Sequence, residues 1–465
     1  MENKKENSKK TSLGGRIWLV FILVGLAGQF AWAIENMYLN TYITYLNFTS
    51  STGGFNYSQM IAITTACSAI VAALTTIIMG SLTDKKGHKR LFISIGYIIW
   101  GFTVALFGIL NVNSSSAVFT IGVSAATAAI LVVVLDCIMT FFGSTANDAS
   151  FNSYVTSNTD DTNRGKVEGV LSILPLVAML AIFVGLNGLT TKDNGYRWDL
   201  FFYIVGALVV AVGIISLFLI PKKADISYGN EEKLTSLMID GFKPKTIVNN
   251  KKLYLILLIY FIYSVAIQVF FPYLMVYLEK TCMISNTGSG LLTPFATVMA
   301  IALLGGSVLS VILGFLSDKF GKNKLIIPSL GILAVGLILM FFIPKISSET
   351  GRIVYACFAG LVLILGYVGV PTIVNALVRQ YIPKGKEGSF MGVRMIFVVA
   401  LPMCIGPFIG DALNQNLGSS YTGDFGVTSI IPTDYGYIVG LGILALALIP
   451  TFIYLKGERK DGGKA

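Results

Sequence analysis

One polar motif occurs twice in this chain, at positions that lie half the chain apart. Gly80–Arg90 and Gly314–Lys324 both read Gly-x-Leu-x-Asp-Lys-x-Gly-x-x-(Lys/Arg), and 234 residues separate them in a sequence of 465. Each copy follows a long apolar segment and precedes another. The repeat therefore predicts a chain built from two copies of one membrane unit.

The composition agrees with a membrane protein. Hydrophobic residues make up 54% of the chain and charged residues 12%, whereas a soluble domain carries about 25% charge. A spanning helix needs about 20 mostly apolar residues. We predict an all-α membrane protein with twelve transmembrane helices in two pseudo-symmetric six-helix bundles. The predicted spans 1 to 12 are residues 17–46, 57–83, 91–110, 120–157, 167–187, 198–220, 252–279, 290–317, 325–344, 352–381, 388–411 and 435–455.

The basic residues predict how the chain is oriented. With these spans, 29 of the 34 lysines and arginines fall on one side of the membrane, and the positive-inside rule makes that side cytoplasmic. The net charge of +10 does not indicate nucleic acid, because the basic residues lie in short tracts between apolar spans. We predict a cytoplasmic tail (1–16), a first bundle (17–220), a cytoplasmic linker (221–251), a second bundle (252–455) and a cytoplasmic tail (456–465).

The glycines and the aspartate of the repeated motif indicate a role in gating. Glycine permits close helix contact and tight turns, and a carboxylate at a helix end can pair with a basic side chain or a neighbouring helix N-terminus. Such a contact could hold one conformation of a moving transporter. We assign gating to Gly80, Asp84, Gly87 and Arg90, and to their second copies Gly314, Asp318, Gly321 and Lys324.

Span 1 carries an acid near its centre. A charge inside the bilayer costs several kcal/mol and usually faces a cavity. Trp32, Glu35, Asn36 and Tyr38 recur at helical spacing, so one face of the helix is polar and aromatic. Aromatic rings stack on sugars and carboxylates bind hydroxyl groups, so this face is a candidate substrate site. A polar clamp between helices is the alternative.

Span 4 carries a second polar cluster. Asp148 lies between the amides of Asn147 and Asn152, two to three turns from the predicted cytoplasmic end. The cluster could coordinate Na⁺ through oxygen atoms, or Asp148 could carry a proton. Asp136 lies three turns further outward and is a further candidate for cation coupling. A structural hydrogen-bond network is the alternative.

The second half supplies fewer deep polar groups. Span 7 is the counterpart of span 1, and Pro272 inside it permits a kink. Three residues are candidates for the second wall of a cavity between the halves: Gln268, Tyr273 and Asn375. Arg379 and Arg394 lie near helix ends, so we expect their side chains to snorkel to the interface rather than to bind substrate.

These motifs resemble known families. The duplicated loop resembles the loop between helices 2 and 3 of the major facilitator superfamily. The segment from Gln29 to Glu35 resembles a helix 1 stretch of sucrose transporters. Asp148, followed by Asp161 and Arg164, is similar to melibiose permease, one of the glycoside–pentoside–hexuronide:cation symporters.

The resemblance implies sugar uptake coupled to H⁺ or Na⁺, with Asp148 in the cation site. Two features depart from melibiose permease, because span 2 contains no acid between residues 57 and 83 and Gln29 falls near the place of its sugar-binding aspartate. We therefore expect H⁺ rather than Na⁺, with Asp148 or Glu35 as the coupling residue.

The sequence predicts a transporter and not an enzyme. It contains no Gly-x-x-x-x-Gly-Lys-(Ser/Thr) phosphate loop, no catalytic triad and no metal-ligand spacing, so we expect no cofactor. We expect a multi-pass monomer in the plasma or inner membrane whose partners are lipid and a small molecule, without nucleic acid. Export of amphipathic drugs or lipids is the alternative transport function, and a membrane sensor that moves nothing is the alternative from another class.

Overall fold

The structure, a computed structural model, describes residues 13–45, 57–110, 125–159, 163–190, 197–222, 236, 239–285, 293–383, 386–422 and 428–462. Most of these residues are helical. Within these ranges one small antiparallel sheet accompanies the helices, formed by β1 (Ser420–Thr422) and β2 (Thr428–Ile430), with Ser420 opposite Ile430. The predicted all-α membrane fold is confirmed apart from this short hairpin.

Six helical spans form the first half, and two of them contain π-helical turns. Predicted span 4 (120–157) is too long for one straight span at about 1.5 Å per residue, so either Gly143 and Ser144 kink it or its start lies in the interface. The α-helix there ends at Gly143 and a π-helix begins at Ser144. The bounds are Gly15–Ala33, π-helical Ile34–Tyr38 and Leu39–Tyr45 (span 1), Tyr57–Lys86 (span 2), Lys89–Leu106 (span 3), Ala125–Gly143, π-helical Ser144–Phe151 and Asn152–Ser157 (span 4), Arg164–Leu186 (span 5) and Trp198–Leu219 (span 6).

The second half repeats the six spans. Span 7 is broken at Pro272, where a 3-10 turn over Phe271–Tyr273 interrupts the helix. The bounds are Lys251–Gln268 and Leu274–Val276, then π-helical Tyr277–Thr281 (span 7), Pro294–Phe320 (span 8), Lys322–Phe342 (span 9), Glu349–Tyr381 (span 10), Glu387–Met395, π-helical Ile396–Ala400 and Leu401–Leu417 (span 11), and Tyr435–Leu446 with Leu448–Gly462 (span 12).

The helices match the predicted number of spans. Among the residues that the structure describes, eleven helices are long and apolar enough to cross a membrane. The remaining predicted span, span 8, is a helix of 27 residues. Between the halves, the helix Pro244–Asn249 lies in the predicted linker.

Both copies of the motif turn at their second glycine. Gly87 has φ 71° and Gly321 has φ 90°, a left-handed conformation that favours glycine. We call the end of the bundle that carries Gly80–Arg90 the loop end, and the opposite end the far end. At the loop end, Arg90 donates from Nε and Nη2 to the Leu217 carbonyl at 3.0 and 2.7 Å, which satisfies a free carbonyl at the end of span 6.

The two halves touch at the loop end through the first motif copy. The Asp84 Oδ2 atom accepts hydrogen bonds from the Ser389 backbone N at 2.9 Å and from the Ser389 Oγ at 3.2 Å. Ser389 lies in the first turn of span 11, so the carboxylate meets a helix N-terminus, where a negative charge is favourable. At the far end, the rings of Phe183 and Phe295 lie 5.7 Å apart and join span 5 to span 8.

The linker docks beside this contact. Asp240 forms ion pairs with Lys243 at 3.2 Å and with Lys386 at 2.9 Å. The hydrogen bond from Lys386 lowers the pKa of the Asp240 carboxyl. Lys386 is three residues before Ser389, so the linker and Asp84 hold the same end of span 11.

Close helix contacts within each half require glycine. A Cβ atom at Gly336 of span 9 would lie 2.6 Å from the Leu363 Cα of span 10, whereas a Cβ at Gly331 of the same helix meets nothing within 4 Å. We predict that Gly336→Ala lowers the free energy of unfolding by about 1–3 kcal/mol, because the two backbones must separate. Gly331→Ala is the matched control and should leave stability unchanged or slightly raised. Equal effects in chemical unfolding would contradict this packing.

Candidate functional site

A cavity of about 390 Å³ lies between the two halves. Spans 1, 2, 4 and 5 form its first wall, and spans 7, 10 and 11 form the second. Its volume falls within the range of small-molecule sites, about 300–1,000 Å³. The polar and aromatic residues that line it include Gln29, Trp32, Glu35, Asn36, Asn147, Asp148, Asn152, Glu168, Tyr260, Tyr263, Gln268, Tyr367, Asn375, Arg379 and Arg394.

Span 1 presents its polar face to the cavity where the helix is π-helical. Trp32 lies against Trp100, with ring centroids 4.9 Å apart. The Asn36 Nδ2 donates to the Trp32 carbonyl at 2.8 Å. The Glu35 Oε2 accepts a hydrogen bond from the Thr140 Oγ1 of span 4 at 3.4 Å, so Glu35 is held between two spans of the first half.

Span 4 also meets the cavity through a π-helical segment. The Asp148 Oδ2 accepts from the Ser144 Oγ at 2.9 Å, and its Oδ1 accepts from the Asn147 Nδ2 at 3.4 Å. The Tyr97 hydroxyl lies 2.9 Å from the Asn147 Oδ1. π-helical turns are rare and often mark functional sites, and here two of them carry Glu35 and Asp148, two of the three acids that line the cavity.

The second wall contains a group of three side chains centred on Asn375. Its Nδ2 donates to the Tyr260 hydroxyl at 3.3 Å, and its Oδ1 accepts from the Arg394 Nε at 3.1 Å. The Arg394 guanidinium also lies over the Tyr260 ring, 5.8 Å from its centroid. These contacts fix a guanidinium, an amide and a phenol on one wall, opposite the acids of the first half.

An ion pair joins the halves at the loop end of the cavity. Arg379 and Glu168 are hydrogen-bonded to each other, and their side chains are only 6% and 5% exposed. The Arg379 Nη2 donates to the Asn152 Oδ1 at 3.0 Å and its Nη1 donates to the Asn152 carbonyl at 3.1 Å. Nη1 also donates to the Thr156 hydroxyl. We call these four residues the inter-half clamp.

The expectation that Arg379 and Arg394 snorkel to the interface is wrong. Both side chains point into the protein, because each has fixed acceptors there: Glu168 and Asn152 for Arg379, and Asn375 for Arg394. The sequence spacing could have indicated that Arg379 faces the protein interior. Arg379 follows Asn375 by four residues, so both lie on one face of span 10.

Two predicted wall residues lie outside this cavity lining. Tyr38 is buried against Phe201, with ring centroids 4.8 Å apart. Tyr273 is buried and donates from its hydroxyl to the Pro407 carbonyl at 3.0 Å. The side chains of both tyrosines point into the interior of their own half and away from the cavity.

Asp136 lines a separate, smaller cavity that adjoins the first. Glu35, Asn36, Gln268 and Met403 line both cavities. Of the remaining candidates, Asp161 lies outside the described residues, as do the side chain of Asp318 and the burial of Gly314.

Three tyrosines of the second half line the cavity without having been predicted: Tyr260, Tyr263 and Tyr367. Tyr367 stacks on Phe271, with rings 5.3 Å apart and 9° from parallel. Tyr260, Ser264 and Gln268 follow one another at four-residue spacing, the signature of a single helix face. Most other residues of span 7 are apolar, so the sequence did not single out this polar face.

The cavity is polar, aromatic and charged with both signs. Glu168 and Arg379 offset each other, which leaves Glu35 and Asp148 on one wall and Arg394 on the other. Such an arrangement can accept hydrogen bonds on one side of a ligand, donate them on the other, and stack on its rings.

Comparisons with known proteins agree with this architecture. The model of the Major Facilitator Superfamily matches residues 17–407. No curated protein matches the sequence. The fold is similar to a crystal structure of a bacterial homologue of the iron transporter ferroportin in an outward-facing state, with a TM-score of 0.64 and 14% identity over 94% of this chain and 98% of that one.

The fold is also similar to a mutant of the nucleoside transporter NupG, with a TM-score of 0.62 and 14% identity over 95% of this chain and 99% of that one. At this identity, the likeness to both structures shows the fold alone.

The inter-half clamp predicts a specific pattern of stability. Removing one partner of a buried ion pair leaves an uncompensated charge and typically costs about 3–5 kcal/mol. We expect Glu168→Gln and Arg379→Gln each to destabilise the protein by about that much, and the double variant to lose clearly less than their sum.

The pair between Lys280 and Glu279, 2.7 Å apart with side chains 38% and 39% exposed, is the control. Lys280→Gln should cost about 0–1 kcal/mol. Additive effects of the two clamp substitutions in chemical unfolding would show that the pair is not coupled.

Proposed function

We propose that this chain, which belongs to the Major Facilitator Superfamily, takes up a sugar or glycoside together with a cation by secondary active transport. The observation that carries the proposal is the cavity between the halves, where aromatic rings, amides and two acids of the first half face a guanidinium of the second. Midplane sites between repeated halves are where such transporters bind substrate.

The chemistry of the walls favours a sugar. Trp32 and Tyr367 line the cavity and offer flat apolar surfaces to a pyranose ring, and Tyr367 is held by its stacking on Phe271. Hydroxyl groups both donate and accept hydrogen bonds, so they can satisfy Asp148 on one wall and Arg394 on the other. An amphipathic drug offers few hydroxyls to these groups, and their burial against it would leave polar atoms unpaired.

A nucleoside is also a glycoside and belongs among the candidate substrates. Its base would stack on the same aromatic surfaces and its ribose would meet the same polar groups. The fold shared with a nucleoside transporter is a reason to include it in a substrate panel.

Asp148 is the residue that we propose carries the coupling proton. Its two closest partners, Ser144 and Asn147, donate hydrogen bonds to it. One donor on each oxygen leaves a lone pair free on both, and a proton needs only one of them, whereas a metal ion needs several oxygen ligands. We therefore propose H⁺ rather than Na⁺ at this carboxylate.

Alternating access follows from the contacts at the loop end. The contact of Asp84 with Ser389 and the inter-half clamp hold the halves together there. We propose that these contacts break when the halves rock, so that the cavity opens toward the cytoplasm. The contact of Phe183 with Phe295, already made in the structure, keeps the far end closed while the loop end opens.

Uptake into proteoliposomes tests the proposed function. The full-length protein is reconstituted and offered labelled sugars, glycosides and nucleosides under an inward proton gradient, an inward sodium gradient or none. Accumulation that depends on the proton gradient is the expected result. Equal uptake in all three conditions would contradict cation coupling, and dye efflux without accumulation of any of these compounds would favour the exporter.

Asp148→Asn separates substrate binding from coupling. We predict that this variant loses gradient-driven accumulation by about tenfold or more, because an amide cannot carry the proton, but keeps counterflow exchange. Asp199→Asn is the control, since Asp199 is a buried first-half acid that pairs with Arg197 at 3.0 Å and does not line the cavity. Normal concentrative uptake by Asp148→Asn would remove Asp148 from the coupling mechanism.

A further inference from the structure

A second, smaller cavity adjoins the large one on the side toward the far end of the bundle. It has room of about 10 Å³ for a water-sized group, roughly the space of one water molecule or one small ion. Glu35 of span 1, Asp136 of span 4, and Thr64 and Ser68 of span 2 contribute oxygen atoms to its wall. Its remaining wall includes Gln268 and Pro272 of span 7, so both halves enclose it.

Two of these groups are buried without a hydrogen-bond partner. Asp136 is 1% exposed and Thr64 is 3% exposed. Among the residues that the structure describes, neither carboxylate oxygen of Asp136 nor the Thr64 hydroxyl has a hydrogen-bond partner. Buried polar groups are almost always satisfied, so three unsatisfied oxygens on one small cavity indicate that something else meets them.

The ionisable groups in this cavity are all acids. Glu35 and Asp136 both line it, and no lysine, arginine or histidine is among the residues that line it. Two carboxylates in a low-dielectric site stay ionised together only with a positive charge between them, and otherwise take up a proton. Carboxylate, hydroxyl and amide oxygens are the ligands that hard cations prefer.

We propose that the small cavity binds one Na⁺ ion between Glu35 and Asp136, with the hydroxyls of Thr64 and Ser68 completing its oxygen shell. The site is separate from Asp148, which lines only the large cavity. A bound Na⁺ would satisfy the lone oxygens of Asp136 and Thr64 and offset the repulsion between the two acids. The small cavity would bind Na⁺ whether or not the substrate of the large cavity is a sugar.

The position of Glu35 gives this ion an influence on the substrate. Glu35 lines both cavities, so a Na⁺ that fixes its carboxylate also shapes the first wall of the large cavity. This step rests on the proposed function. Coupling free energies between two sites commonly change affinity about 5- to 150-fold, and we expect Na⁺ to tighten substrate binding within that range.

Thermal stability of the purified, substrate-free, full-length protein tests the site directly, because a ligand that binds only the folded state raises stability. At pH 8, NaCl is compared with choline chloride at equal ionic strength. We expect a rise in Tm that saturates with Na⁺ in the wild type and is absent in Asp136→Asn. Asp411→Asn is the matched control, since Asp411 is a buried acid that lines neither cavity, and it should respond like the wild type.

Two results would overturn the proposal. One is an equal response to Na⁺ in the wild type and Asp136→Asn. The other is no response to Na⁺ in the wild type together with a rise in Tm between pH 8 and pH 6 that Asp136→Asn abolishes, which would mean that the two acids share a proton instead. Should Asp136→Asn not fold, Thr64→Val, which removes one oxygen and keeps the shape, should weaken the Na⁺ response.

This test is independent of transport. A sodium response without uptake of any sugar would leave the ion site standing and contradict the proposed function. Uptake driven by protons without a sodium response would support the proposed function and contradict the ion site.

Discussion

The buried ion pair between Arg379 and Glu168 is the contact on which closure of the loop end depends. Two charges in a helix bundle are costly to desolvate, and their attraction offsets that cost only when the geometry is satisfied. Asn152 and Thr156 supply the remaining acceptors for the guanidinium. All four groups are together only while span 10 of the second half touches spans 4 and 5 of the first.

The same energetics suit a contact that must open. When the halves separate, water reaches both charges and recovers the solvation that burial removed. The net preference for the closed state is therefore much smaller than the strength of the pair itself. Asp84 at the N-terminus of span 11 adds a second contact of this kind, and the linker holds the same helix end through Asp240 and Lys386.

Local distortions of the helices determine which side chains face the cavities. Glu35 and Asp148 both lie in π-helical turns, where the extra residue in the turn shifts which side chains face the cavity. Span 7 breaks at Pro272 and brings Gln268 and Phe271 to the opposite wall. Glu35 lies where the large and small cavities meet, so one carboxylate can respond to both a substrate and an ion.

The sequence predicted the architecture better than the site. Apolar length and the repeated motif were enough for twelve spans and for the turns at Gly87 and Gly321, because both depend on local properties. Six residues that the sequence singled out line the large cavity, since polar groups inside a membrane helix rarely face lipid: Trp32, Glu35, Asn36, Asp148, Gln268 and Asn375. Their roles in binding and coupling stay predictions.

The misses depended on contacts between distant spans. The partners of Arg379 are 211 and 227 residues away, and no local pattern indicates them. Tyr38 and Tyr273 lie on turns whose rotation is set by a π-helical segment and a proline break, which helical spacing alone did not predict.

The distance between the halves at the loop end tests the central claim most directly. Spin labels are placed at the exposed positions Lys86 and Lys456, after the five native cysteines are replaced by serine, and distances are measured by pulsed electron resonance in lipid. We predict a dominant short distance, and a shift of the population toward a longer one in Arg379→Gln. An unchanged distance distribution in Arg379→Gln would contradict the account, because it would show that the clamp does not hold the loop end closed.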